Sequence, residues 1–132
     1  MSQRMINPEG WPRPKGYSNG IAAKGETLFL AGQIGWGTDG KLVSDELVPQ
    51  FEKALENVKA VLAAAGAKPE HLARITIYVT DKTAYRESTR AIGEAWRRIL
   101  GPVFPAMSLL QVADLLEDGA LVEIEATAVV PG

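Results

Sequence analysis

Two carboxylates near the end of the chain have the residue type and spacing needed for proton-transfer chemistry. Residues 121–130 alternate between the two sides of a predicted strand. Glu123 and Glu125 therefore lie on the same side, about 7 Å apart. A glutamate on a partly covered surface can act as a general acid or base. Leu121 and Val129 lie on the same side, which indicates that this side is not simply solvated. Two ordinary surface acids on an antiparallel sheet are the alternative interpretation.

The other reactive residue types offer less chemistry. The chain has no cysteine, which excludes disulfides, thiolate nucleophiles and cysteine metal sites. His71 is its one histidine, and Ser108 has no other possible base and no nucleophile-elbow context, so we predict neither a catalytic triad nor a metal site. The glycines at 32–37 lack the Gly-Lys-Ser/Thr ending of a phosphate loop and the dinucleotide fingerprint, and favour a bent strand end.

Length and charge limit the class of protein. The 132 residues fit one domain, residues 1–132, in which a polar, proline-rich arm at 1–16 is expected to be anchored by Trp11. The net charge of −2, a pI near 5.4 and the absence of a Lys/Arg block argue against a nucleic-acid partner. No apolar run reaches the ~18 residues of a membrane span. We therefore expect a cytoplasmic protein that binds a small molecule or a protein.

Periodicity predicts the elements that must hold the two acids. In chain order they are a hairpin of strands 18–23 and 27–31, a helix over 46–65 capped by Ser44 or Asp45 and ended by Gly66, a strand over 74–80, a helix from Asp81 to Gly101, and strands over 107–112 and 120–130. A turn at Asp118-Gly119 should place the last two strands side by side, with Met107 next to Glu123.

This order predicts an α+β fold. Two strand–helix–strand crossovers favour one mixed β-sheet with two helices packed on one face. The other face, with Leu121, Glu123, Glu125, Thr127 and Val129, then has no cover within the chain. Its apolar members predict a homo-oligomer.

An ordered set of short motifs resembles the Rid family, also named YjgF/YER057c/UK114. The motifs are Lys-Gly-Tyr-Ser-Asn-Gly around Tyr17, Ala31-Gly-Gln-Ile, Asn57-Val-Lys-Ala, Phe104-Pro-Ala and Val122-Glu-Ile-Glu-Ala. The resemblance implies a chorismate-mutase-like fold of βββαβαββ type, a homotrimer, and a ligand pocket between neighbouring subunits. It also implies hydrolysis of enamines and imines released by pyridoxal-phosphate enzymes, giving a carbonyl compound plus ammonia, with no cofactor.

The resemblance assigns site residues one by one. Glu123 matches the pocket glutamate of the family and is the catalytic candidate, while Tyr17 matches the pocket tyrosine that shapes the site or orients water. Further substrate-binding candidates are Ala31, Gly32, Met107, Ser108 and Leu109.

Several of these positions depart from the deaminase pattern. Deaminating members carry, where Met107 stands, an arginine that binds the substrate carboxylate in a bidentate pair. Ala31 replaces a small hydroxyl residue and Leu109 replaces a cysteine, so the pocket is more apolar. Arg90 is the first candidate for a replacement cation, with Thr89 equally alignable in its place.

Arg13 and Lys15, on the arm beside Tyr17, are weaker candidates for that cation.

Three functions therefore stay open. The first is a deaminase for an enamine or imine, such as the dienamine aminomuconate. The second is a trimer that binds a metabolite without catalysis, as a sensor or carrier. The third is an endoribonuclease or a holdase-like protein. The acidic pI disfavours the endoribonuclease.

Overall fold

The computed structural model describes residues 3–132 of the chain. Six strands and three α-helices are formed, with a 3₁₀ turn at Pro69–His71: β1 Gln3–Ile6, β2 Gly20–Ala23, β3 Glu26–Gln33, α1 Leu47–Ala64, β4 Leu72–Val79, α2 Lys82–Glu87, α3 Thr89–Ile99, β5 Ala106–Gln111 and β6 Val122–Val130. The predicted second helix is divided at Ser88, so the helices number three rather than two. The α+β class is confirmed.

The main sheet has four strands in the order β3-β6-β4-β5. β6 lies at its centre, antiparallel to both β3 and β4, whereas β4 and β5 are parallel. The prediction that 107–112 runs alongside the last strand is therefore wrong. Ile75 of β4 pairs with Met107 and Tyr78 of β4 pairs with Glu123, so a whole strand separates Met107 from Glu123. The segment 112–121 carries the chain across β4 instead of closing a tight hairpin.

The first strands also pair differently from the prediction. β2 and β3 follow one another closely, but β2 pairs with β1, and β3 pairs with β6. Part of the predicted arm is thus a strand, and residues 1 and 2 of it lie outside the described residues. The ring of Trp11 is 61% exposed, so the expected anchoring of the arm by this side chain is not found.

Helix α1 packs on one face of the sheet through the apolar stripe that its spacing predicts. Phe51, Leu55, Val58 and Leu62 are fully buried there. Gly66, at a φ of +75°, ends the helix as expected.

Close packing at the start of the helix accounts for one residue of the glycine cluster. A Cβ added to Gly35 would lie 2.6 Å from the Cα of Gln50, so only glycine fits between β3 and α1.

Gln50 is a fully buried polar side chain that joins three segments. Its Nε2 donates to the carbonyl oxygens of Ser44 and Gly119 at 2.9 Å each, and its Oε1 accepts from the backbone N–H of Leu121 at 2.8 Å. The side chain thereby fixes where β6 begins, and β6 carries both glutamates.

Replacing Gln50 by leucine should therefore lower the free energy of unfolding by about 3 kcal/mol, since buried backbone groups lose their partners at ~1–3 kcal/mol each. Urea unfolding measures this loss. Glu56→Gln on the exposed side of α1 is the control and should change stability by less than ~0.5 kcal/mol. Equal stability of the Gln50 variant and the wild type would contradict the prediction.

Candidate active site

The open face of the sheet carries both glutamates. Along β6, the even-numbered residues Val122–Ala128 are buried under the helices, and the odd-numbered ones, including Glu123 and Glu125, are half-buried on the opposite face. The predicted alternation is thus confirmed. Because no helix covers this face within residues 3–132, its side chains stay accessible to another molecule.

Glu123 lies between two strands on that face. On one side Tyr78 of β4 is its partner in register, and on the other side is Gly32, within the irregular pairing between Leu30 and Gln33. A Cβ added to Gly32 would lie 2.8 Å from the Cδ of Glu123 and would overlap its Oε2. The missing side chain at 32 therefore makes the space that the carboxylate of Glu123 occupies.

Glu125 is bound differently from Glu123. The phenolic hydroxyl of Tyr78 donates to Oε1 of Glu125 at 2.6 Å. This hydrogen bond, partial burial and the negative charges of Glu125 and Glu123 raise the pKa of Tyr78 above 10.0, and Arg74 opposes the shift. Glu125 therefore has a structural partner, whereas no hydrogen bond is formed by the carboxylate of Glu123 within residues 3–132.

The raised pKa of Tyr78 predicts a pH effect on stability. A group whose folded pKa exceeds its unfolded value stabilises the fold below about pH 10 and loses that contribution as the pH rises further. Above about pH 10, the unfolding free energy of the wild type should therefore fall more steeply than that of Tyr78→Phe. Urea unfolding at several alkaline pH values measures both slopes. Equal slopes would show that the Tyr78–Glu125 bond is not formed in solution.

Tyr17 and Met107 meet on the helical side of β5. Ser18 is buried, and its hydroxyl donates to the carbonyl oxygen of Phe104 at 2.7 Å, while its N–H donates to that of Pro105 at 3.1 Å. These bonds fix Tyr17 at the start of β5. Met107 lies on this side because it pairs with Ile75, whose side chain belongs to the core.

A cavity of about 400 Å³ opens between β5 and the helices α2 and α3, which precede β5 in the chain. Its lining comprises Tyr17, Lys82, Tyr85, Arg86, Thr89, Met107, Leu109 and Gln111. A second cavity of about 360 Å³ shares Tyr85, Thr89 and Met107 with it and includes Lys15. Tyr17, Met107 and Leu109 are thus brought together as site residues, but no carboxylate lines either cavity.

The remaining predicted residues lie elsewhere. Ser108 points to the open face and lines a broad depression there with Tyr78 and Glu125. Ala31 is exposed on β3, next to Gly32. The side chain of Arg90 is 95% exposed, pairs with Glu94 at 3.6 Å and lines neither cavity beside Met107, whereas its alternative Thr89 lines both. Within one chain, the predicted catalytic acid and the predicted apolar pocket therefore lie on opposite faces of the sheet.

Three side chains that line the cavity, two cations and one amide, were not predicted from the sequence. Lys82 and Arg86 are one helical turn apart on α2, and Gln111 ends β5. The available signal was the spacing of four residues between the two cations, but the same spacing is common on solvated helix faces.

Among residues 3–132, no group of three His, Asp or Glu side chains is placed to hold a metal ion. The helices of the same residues include none that is both long and apolar enough to cross a bilayer.

The molecule is a mixed α+β protein with helices on one face of a four-stranded sheet and an acidic, uncovered face on the other. The family model described as endoribonuclease L-PSP matches residues 12–130, and the chain belongs to this family, the Rid or YjgF/YER057c/UK114 family. Proteins named 2-iminobutanoate/2-iminopropanoate deaminase are members of it.

Individual relatives cover nearly the whole chain. A RutC family protein of Pyrococcus horikoshii is 34% identical over 128 residues, which are 96% of this chain and 97% of that protein. The human 2-iminobutanoate/2-iminopropanoate deaminase is 30% identical over 129 residues, 96% of this chain and 90% of that protein.

The solved structure of a Rid family protein of unknown function from Yersinia pestis has a TM-score of 0.88. It is 34% identical and covers 98% of this chain and 100% of that one. The predicted family and fold are thereby confirmed.

Proposed function

We propose that the protein hydrolyses an enamine or imine to a carbonyl compound and ammonia, in a cleft that two copies of the chain form within a homotrimer. The observation that carries this proposal is the half-buried carboxylate of Glu123, which occupies the space left by Gly32 and has no structural partner within residues 3–132. The relatives named as imine deaminases support the same reaction class.

The chemistry needs one group that moves protons. An enamine gains a proton on carbon, loses one from nitrogen and becomes an imine, and water then adds to the imine carbon. Glu123 takes a proton from that water and passes it to the nitrogen, which gives a carbinolamine. It then moves the hydroxyl proton of the carbinolamine to the nitrogen, so that ammonia leaves as the carbonyl forms. One water is consumed for each ammonia released, and no cofactor takes part.

Association of copies completes the proposed site. Glu123 and the cavity beside Met107 are separated by the thickness of the sheet within one chain, so a second copy has to supply one of them. Phe29 is 80% exposed and Leu110 45% exposed on the open face, where isolated chains would leave apolar surface in water. Covering that surface with other copies gives the association a driving force.

Met107 and Leu109 define what lies next to the reacting carbon. A thioether and an isobutyl group offer no charge-assisted hydrogen bond to a carboxylate. The proposed substrate therefore has no carboxylate at that point, unlike the 2-imino acids named for the relatives.

The test is an assay of ammonia release. A pyridoxal-phosphate enzyme generates enamines in situ, from substrates with and without an adjacent carboxylate, and imine absorbance and ammonia are followed with and without the protein. Acceleration with the enamines that have no adjacent carboxylate is the expected result. If neither class is hydrolysed faster, the proposed reaction is rejected.

Ligand binding without catalysis is the second candidate function. The observation that favours it is the cavity of about 400 Å³, which contains Met107 and Leu109 but no acid. A sensor or carrier needs only such a cavity. An endoribonuclease role is less suited to a chain with a net charge of −2, and a holdase-like role has no specific support.

A further inference from the structure

The cavity beside Met107 has a marked imbalance of charge. Two cations, Lys82 and Arg86, line it, and no carboxylate does. Neither cation forms an ion pair with a side chain of residues 3–132. The nearest preceding acid, Asp81, is already used, because its carboxylate accepts from the backbone N–H groups of Thr83 and Ala84 at the start of α2.

The two cations are placed together despite their repulsion. Lys82 and Arg86 are four residues apart in a helix, where like charges face each other and destabilise it. Hydrogen bonding fixes this helix against the sheet, since the N–H of Lys82 donates to Oε1 of Gln111 at 2.8 Å. An anion between the helix and β5 would relieve the repulsion.

The β5 wall of the cavity changes from apolar to polar along its length. Met107, Leu109 and Gln111 line it in turn, and their Cα atoms span about 14 Å at ~3.4 Å per residue. Tyr17 lies near the Met107 end, and Lys82 is bound at the Gln111 end. The apolar part thus separates Tyr17 from the cationic end.

We propose that Lys82 and Arg86 bind the anionic group of the ligand, and that the ligand is an elongated amphipathic anion whose apolar segment lies along Met107 and Leu109. The inference deepens the proposed function, because it takes this cavity as the substrate site of the hydrolase. The two cations also replace the carboxylate-binding arginine, whose position Met107 occupies in this chain. The anion is bound several carbons from the reacting group instead of next to it.

Tyr85 and Gln111 suit the same ligand. Tyr85 lines the cavity, and its hydroxyl, whose pKa burial raises further above 10.0, is a hydrogen-bond donor at neutral pH. Oε1 of Gln111 accepts from the backbone N–H of Lys82, so its amide Nε2 can donate to another acceptor. The polar end therefore presents donors, as an anion requires.

Calorimetric titration of the full chain tests the proposal, with hexanoate, butanoate and hexanamide as probes. Hexanoate should bind more tightly than butanoate, which is too short, and than hexanamide, which is neutral. Lys82→Gln and Arg86→Gln should each weaken hexanoate about three- to fivefold, the scale of an exposed ion pair, and leave hexanamide unchanged.

Arg90→Gln is the matched control, since it removes the same charge from the next helix outside the cavity. Its affinity for hexanoate should equal that of the wild type. The proposal is overturned if the wild type binds no hexanoate, if butanoate binds equally well, or if Arg90→Gln weakens binding as much as Arg86→Gln.

The outcome is separable from that of the proposed reaction. Hexanoate has neither an enamine nor an imine group, so its binding reports on Lys82 and Arg86 independently of ammonia release. Charge-dependent binding without any hydrolysis would reject the reaction and support the anion site. If Lys82→Gln and Arg86→Gln leave hydrolysis unchanged and the protein shows no preference for hexanoate, the reaction is supported and the anion site is rejected.

Discussion

Ammonia release should fall by about two to three orders of magnitude in Glu123→Gln, the scale of losing a general acid–base group. Glutamine has the same shape and fits the same space above Gly32, so packing is preserved, but its amide cannot take a proton from water. The loss should appear in kcat, with KM changed little, because Glu123 holds no charged part of the substrate. Steady-state ammonia release with an enamine that has no adjacent carboxylate measures both constants.

Glu125→Gln is the matched control for this loss. Glu125 lies on the same strand and the same face as Glu123. Its carboxylate accepts a hydrogen bond from the hydroxyl of Tyr78 at 2.6 Å. A glutamine oxygen can still accept that bond, so we expect activity within about twofold of the wild type. Equal losses in the two variants would point to a general effect of charge on this face. Full activity of Glu123→Gln would reject its catalytic role.

Local periodicity predicted the elements that lie on either side of the core. β6 alternates residue by residue, and α1 buries Phe51 and Leu55 on the stripe that its spacing indicates. These patterns depend only on side chains two, three or four residues apart, so the sequence shows them directly. The face on which Glu123 lies could therefore be predicted correctly.

Strand pairing could not be predicted in the same way. The partner of β5 depends on where a ten-residue connection crosses the sheet, and short-range spacing contains no information about that. Pairing β5 with β4 moved Met107 away from Glu123. The polar end of the cavity was missed for a similar reason, because Lys82 meets Gln111 only after the chain has folded.

The division of the proposed site between two faces makes it testable by mixing variants. Leu109→Trp should fill the cavity and Glu123→Gln should remove the acid, so each variant alone should be nearly inactive. Co-expression at equal levels yields randomly assembled oligomers, which are assayed without selection for mixed composition. If neighbouring subunits supply the acid and the cavity, about one quarter of the sites are intact after random 1:1 assembly in a closed cyclic oligomer.

A second mixture controls for the assembly itself. Wild type co-expressed with a chain that carries both substitutions should also retain about one quarter of the activity if sites form between subunits, but about one half if each chain forms its own site. Sedimentation tests the proposed trimer and checks that both mixtures form oligomers of equal size. No recovery in the first mixture and one half in the second would place Glu123 and Leu109 of a single chain in one site, and the intersubunit cleft would be rejected. Recovery near one quarter in both would require that Glu123 of one copy works beside Met107 and Leu109 of the next.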